Sequence, residues 1–127
     1  MKLRIQGNSI RLRVSRSELA AFVETGRLED TVYFGPQVEM SLTYALVRDP
    51  SLQSVTVLST RNEVAVVVPA AVADAWASTG QVGISAEVDL GILGTLSALV
   101  EKDFACLDRR EEENADTFPN PLGAHVC

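Results

Sequence analysis

Hydrophobic and polar residues alternate with a period of two at the start of the chain. Over residues 1–6, Leu3 and Ile5 fall on one face and Lys2, Arg4 and Gln6 on the other. Over 9–14, Ile10, Leu12 and Val14 oppose Arg11 and Arg13. Such alternation marks half-buried strands, and the Gly7-Asn8 pair between them suits a two-residue hairpin turn. The hairpin therefore has one apolar and one basic face. The period then changes. Ser15-Arg16-Ser17-Glu18 reads as a capping box. Leu19, Phe22 and Val23 form one helical stripe, and Gly26 supplies a left-handed C-terminal cap. Strands are expected over 28–34 and 41–47, joined by a turn at Gly35-Pro36.

The same succession then returns. Residues 8–28 align without a gap on 62–82, placing Asn8 on Asn62, Val14 on Val68, Ala21 on Ala75, Phe22 on Trp76 and Gly26 on Gly80. Further on, Leu42 meets Leu96, Thr43 meets Ser97, Arg48 meets Lys102 and Asp49 meets Asp103. Strands are expected over 54–58, 63–68, 81–88 and 95–101. Pro69 suits the opening of the second helix, and Gly80 suits its close. The strand 63–68 departs from its counterpart, with Ala65 and Val67 where the first copy has Arg11 and Arg13. A strand apolar on both faces is expected to be covered on both sides.

These readings predict an α+β fold of two pseudo-duplicated ββαββ units. Repeat 1 covers 1–49, repeat 2 covers 55–103, and a tail covers 104–127, all within a single domain of 1–127. The loop Asp49-Pro50-Ser51 separates the copies. The strands are expected to form a curved or barrel-like, largely antiparallel sheet carrying two short helices, with the tail as an extended strap. In that strap Phe104, Leu107 and Phe118 are apolar anchors set among charges, and Pro119 and Pro121 stiffen the chain. The strap is expected to cover a sheet edge where the last strand ends.

Composition narrows the function classes. At 127 residues, with 46% hydrophobic and 22% charged, the chain can bury a core unaided. A net charge of −6 argues against non-specific binding to nucleic acid or to an anionic membrane. Aromatic residues are only 6%, too sparse for a single-strand stacking platform. No apolar run has bilayer-spanning length, and the opening residues lack the apolar core of a signal peptide. A cytoplasmic location is expected.

Candidate chemistry lies in two places. The basic hairpin face, Lys2, Arg4, Arg11 and Arg13, suits anion binding, because guanidinium forks match phosphate and carboxylate. A closed sheet would turn that face into a tunnel wall together with Glu87, Glu101 or Lys102. That arrangement resembles the triphosphate-tunnel enzymes at the level of fold, but their N-terminal alternating-glutamate motif is absent here. An exposed face with cross-strand charge pairs is the simpler expectation. The tail holds the second candidate: Cys106, His125 and Cys127 are zinc-type ligands, with Asp108 or Asp116 as a fourth. Their spacing matches no paired zinc motif. A Cys106–Cys127 disulfide and a plain buried Cys106 stay open beside it.

No Ser/His/Asp set, phosphate loop, dinucleotide fingerprint or calcium loop occurs, so no catalytic residue is assigned. The opening KLRIQGNSIRLRV, and EKDFACLD followed by FPNP, resemble a family of small, mostly bacterial proteins of unknown function, over nearly the whole chain. The resemblance implies that the tail belongs to the domain; it brings no activity, substrate or cofactor. The leading expectation is a non-enzymatic cytoplasmic binding or scaffold protein. It docks a protein partner or a small anion on the basic face or along the tail. The first alternative is an enzyme acting on a phosphorylated or anionic small molecule, with arginines as electrostatic stabilisers and Glu87 or Glu101 as base. The second is a zinc- or redox-responsive protein using Cys106, His125 and Cys127.

Overall fold

The computed structural model describes residues 1–104 and 115–119. Among them the chain runs β1 (Lys2–Gln6), β2 (Ser9–Val14), α1 (Arg16–Thr25), β3 (Arg27–Tyr33), β4 (Ser41–Asp49), β5 (Thr56–Ser59), β6 (Glu63–Pro69), α2 (Ala70–Ser78), β7 (Gly83–Asp89) and β8 (Thr95–Lys102). Every strand expected from the alternation forms, with ends displaced by one or two residues. Gly7 turns the first hairpin with φ +55°, the left-handed backbone that glycine adopts without strain.

The sheet does not close into a barrel. Among the described residues there are two four-stranded sheets, ordered β1-β2-β8-β7 and β3-β4-β6-β5. Nor is the pairing simply antiparallel. Each outer pair is an antiparallel hairpin, but the central pairs, β2 with β8 and β4 with β6, are parallel. Period-two alternation reports which face a side chain takes and carries no information on which strand lies alongside. Each sheet takes one hairpin from each half of the chain, so β1, β7, β3 and β5 remain as edges.

The alignment of the halves carries over into pairing register. The offset that takes Asn8 to Asn62 converts Arg11↔Leu99 into Ala65↔Ala45, and Lys2↔Arg13 into Thr56↔Val67, all of which are paired. Asn8 and Asn62 also do the same work. The Asn8 side chain donates to the Thr95 carbonyl (2.7 Å), and its own carbonyl accepts from the Ser97 amide (3.1 Å). The Asn62 side chain donates to the Ser41 carbonyl (2.9 Å), and its carbonyl accepts from the Thr43 amide (2.8 Å). Each asparagine thus fastens the start of a parallel pair across the two halves.

The apolar faces of both sheets and one side of each helix meet in a single core that includes Leu12, Val14, Leu46, Val66, Val68 and Val100. At its centre Phe22 of α1 and Trp76 of α2 pack edge to face, with centroids 6.4 Å apart. The outer face of β6 is covered as its composition requires: Ala45, Ala65 and Val67 form a second buried cluster packed by Val47 and Leu52. Arg48 of β4 reaches the other half, donating from two nitrogens to the Asp74 carboxylate of α2 at 2.9 and 2.8 Å. No helix among the described residues is long and apolar enough to cross a membrane.

The capping box forms. The Ser15 hydroxyl accepts from the Glu18 amide (3.3 Å), and the Ser15 amide donates to the Glu18 carboxylate (2.9 Å). Gly26 ends α1 at φ 78°. Ser15→Ala removes the cap of α1 and is expected to cost about 1 kcal/mol in a urea unfolding curve; no change there would show that the tail alone caps the helix. The second helix differs from expectation at its close. Thr79, in an extended conformation, ends α2, and Gly80 has no left-handed backbone. The buried Lys102 supplies what a glycine cap would have given, donating from Nζ to the Thr79 carbonyl at 2.7 Å. A cation at a helix C-terminus is favourable.

The described part of the tail is docked. The Phe118 amide donates to the Asp103 carbonyl (2.8 Å), and the Phe104 and Phe118 rings pack edge to face with centroids 6.0 Å apart. Phe118 also packs against the main core. The strap does not cover an edge at β8, because β8 lies between β2 and β7. Its contact is with the end of that inner strand and with the start of α1. There the Asp116 carbonyl accepts from the Arg16 amide (3.2 Å), and its carboxylate accepts from the Ser17 amide (3.1 Å) and the Ser17 hydroxyl. Leu107 and Pro121 lie outside the described residues.

Candidate functional site

Alternation puts Lys2, Arg4 and Gln6 of β1 on the same side of the sheet as Ser9, Arg11 and Arg13 of β2. The burial of Ile10, Leu12 and Val14 shows that this side faces outward. The parallel pairing then adds Ser97, Leu99 and Glu101 from β8, and the next pairing adds Ser85 and Glu87 from β7. Two rows cross the four strands: Lys2–Arg13–Glu101–Gly83 and Arg4–Arg11–Leu99–Ser85. All four basic residues named from the sequence therefore share one face.

Their pairing is uneven. Arg11 and Arg13 each donate from Nε to one oxygen of Glu101, Oε1, at 2.6 and 2.7 Å. Lys2 donates to Asp103 at 2.9 Å. Arg4 meets only the side-chain carbonyl of Gln6 (3.0 Å) among the described residues. The cross-strand pairs expected of a solvated face are thus present, but two arginines share a single carboxylate, and Arg4 has no acidic partner among the described residues. Of the further residues expected to join the basic face, Glu87 and Glu101 do so. Lys102 does not: it lies on the inner side, buried, with Nζ 5.5 Å from the centroid of the Phe118 ring. Burial pushes its ammonium below the ordinary lysine range.

A groove of ≈ 290 Å³ runs along this face, lined by Arg4, Arg11, Ser9, Ser97, Leu99 and Glu87 among others. A second depression of ≈ 190 Å³ adjoins it at Arg4 and Arg11 and extends toward Lys2 and Arg13. The volume is at the small end of the range for ligand pockets. Ser97 sits on the groove with its hydroxyl 2.9 Å from both oxygens of Glu87, fixing that carboxylate. Sequence reasoning did not place Ser9, Ser97 or Leu99 here. The alternation within 95–101 puts Ser97, Leu99 and Glu101 on one face, but only the β2–β8 pairing brings that face beside the arginines.

The zinc and disulfide candidates Cys106, His125 and Cys127, and Asp108 with them, lie outside the described residues. Asp116, the other possible fourth ligand, is engaged by the first turn of α1. Hydrogen bonds from the Ser17 hydroxyl, then from the Ser15 hydroxyl and the Ser17 amide, hold its carboxyl below the usual range.

Comparison with curated proteins gives no match, and comparison with solved structures gives none either. Comparison with protein families matches residues 1–122, which include the strands of both halves, the basic face and most of the tail. The chain belongs to the family of unknown function DUF7009.

Proposed function

We propose that this chain is a duplicated ββαββ unit acting as a non-enzymatic binding module, with a small anionic ligand held on the outer face of the β1-β2-β8-β7 sheet. The observation that carries the reading is the contrast between two faces built in the same register. Where one sheet has Arg4, Arg11, Arg13, Leu99 and Glu101, the other has Leu58, Ala65, Val67, Ala45 and Val47. The small apolar set makes the same register where that face is covered, so strand pairing alone does not call for the arginines. One carboxylate is already matched by one guanidinium, and a second on the same oxygen, with Arg4 beside them meeting only Gln6 among the described residues, is more positive charge than the pair itself uses. Such a cluster has positive charge to spare for a ligand, and its forks match the oxygen geometry of phosphate or carboxylate. The adjoining groove gives that ligand a place to lie.

The test is an amide chemical-shift titration with inorganic phosphate and with acetate. Saturable shifts are expected on residues 4, 6, 9, 11, 97 and 99. The double substitution Arg4→Gln, Arg11→Gln is expected to weaken phosphate binding at least tenfold, with the melting temperature nearly unchanged. Unsaturable shifts, or shifts spread evenly over the surface, would refute the reading. So would a double variant that binds like the parent.

A further inference from the structure

We infer that the ligand is a small zwitterion, its anionic group held by Arg4 and Arg11 and its ammonium received by Glu87. This rests on the anion-binding reading above and specifies its other end. The groove is electrically polar along its length. Arg4 and Arg11 stand on β1 and β2 at one side, and Glu87 stands on β7 at the other. Leu99 on β8 lies between them as an apolar floor, paired with Arg11 on one flank and with Ser85 on the other.

The state of Glu87 is the second strand of the argument. Its partner is Ser97, whose hydroxyl lies 2.9 Å from each carboxylate oxygen. A hydroxyl has one hydrogen to give, and a carboxylate accepts at about four lone-pair sites. Glu87 is therefore oriented by Ser97 while most of its accepting capacity stays open. Its charge is also unmatched: no described lysine or arginine makes an ion pair with it, whereas Arg11 and Arg13 are drawn to Glu101. An oriented carboxylate without a described ion pair, facing Arg4, whose described partner is the neutral Gln6, and Arg11, which shares Glu101 with Arg13, is complementary to a ligand with both charges.

Size and chemistry narrow the class. β7 lies two strand spacings from β2, about 10 Å, and the arginine side chains shorten that span. A groove of ≈ 290 Å³ takes a molecule of amino-acid to dipeptide size. A ligand with phosphates at both ends would meet Glu87 with like charge, which is disfavoured. The shared chemistry is an oxyanion joined by a short chain to an ammonium. The oxyanion is either the carboxylate of an amino acid or short peptide, or the phosphate of an amino-alcohol ester.

Four probes separate the possibilities: acetate, glycylglycine, inorganic phosphate and phosphoethanolamine, each titrated by amide chemical shift against the parent and against Glu87→Gln. The zwitterion of one pair is expected to bind at least tenfold tighter than its simple anion. If the pair is acetate and glycylglycine, the source is a carboxylate; if it is phosphate and phosphoethanolamine, the source is a phosphate ester. In Glu87→Gln the advantage is expected to fall to within about twofold, while the simple anion binds as well as or better than before. If a simple anion saturates this face and neither zwitterion binds tighter, the zwitterion is refuted and the anion site stands. If the advantage survives in Glu87→Gln, the assignment to Glu87 is refuted. If no probe binds, both readings fall. Glu87 is exposed, so a melting curve of the variant is enough to confirm that it folds.

Discussion

Trp76→Ala is expected to lower the unfolding free energy by about 3–5 kcal/mol, the cost of truncating a large core aromatic. Trp76 is 0% exposed. Its ring packs edge to face on Phe22 and its Nε1 donates to the Val82 carbonyl at 3.1 Å. Truncation therefore removes buried area, an aromatic pair worth roughly 0.5–1.5 kcal/mol beyond that area, and a hydrogen bond. The position makes the void hard to refill. It lies where both helices and both sheets meet, so no single element can move inward without dragging another. A domain of this size is stable by only about 5–15 kcal/mol, so the variant is expected to be partly unfolded at physiological temperature. Trp76→Phe keeps most of the ring and should lose less than half as much. Trp76 is the sole tryptophan, so circular dichroism in urea is the readout. A loss below 1 kcal/mol would remove the helix contact from the centre of the fold.

Phe118→Ala is expected to release the tail at a cost of about 2 kcal/mol, less than a fully buried ring because Phe118 is half-buried. The ring holds three things together: Phe104, the Lys102 ammonium above it, and the core beneath. Its loss also loosens Asp116, two residues earlier, from the first turn of α1. The amides of Arg16 and Ser17, bonded to Asp116 in the parent, should therefore exchange faster in the variant, while those of β2 and β8 stay protected. Acid is expected to act on the same latch. The folded-state pKa of Asp116 is lowered, chiefly by the Ser17 hydroxyl, then by the Ser15 hydroxyl and the Ser17 amide. The stability this contact adds is present above the ordinary aspartate range and is lost as pH falls through the lower folded value. Asp116→Asn should abolish that acid step. Unchanged exchange at Arg16 and Ser17 in Phe118→Ala would show that the latch is held from elsewhere.

The sequence made some features legible and hid others for a physical reason. Strand and helix positions follow from local periods, and the Ser15–Glu18 cap and the Gly26 close follow from chemistry within a few residues. The burial of Phe22 and Trp76 was readable because each lies on the apolar stripe of its helix. The two-sheet architecture was not. It depends on β2 choosing β8 and β4 choosing β6, a choice made by packing between distant segments. The candidate site shared that fate. Arg4 and Arg11 were visible as a basic face, but Ser97, Leu99 and Glu87 reach them only through the β2–β8 ladder. The tail was half legible: Phe104 and Phe118 announced themselves as apolar residues among charges, whereas nothing local linked Asp116 to α1. Gly80 misled because Gly26, at the matching offset, is a true cap, while Lys102 takes over that role from the end of β8.

The exchange of hairpins between the halves bears on how the chain is made. As it leaves the ribosome, residues 1–49 hold one hairpin of each sheet and cannot complete either. The β3-β4 hairpin acquires its neighbour once β6 has emerged; the β1-β2 hairpin waits for β8, with Ser9 paired at last to Ser97. Until then the apolar sides of Ile10, Leu12 and Val14 have no sheet to complete them. Ladders that join segments so far apart close slowly, because the loop entropy is lost before contacts compensate for it. Synthesis thus leaves a nascent chain that is sticky until β8 emerges, and a ribosome stalled midway through the second half would present a half-built sheet to the chaperones.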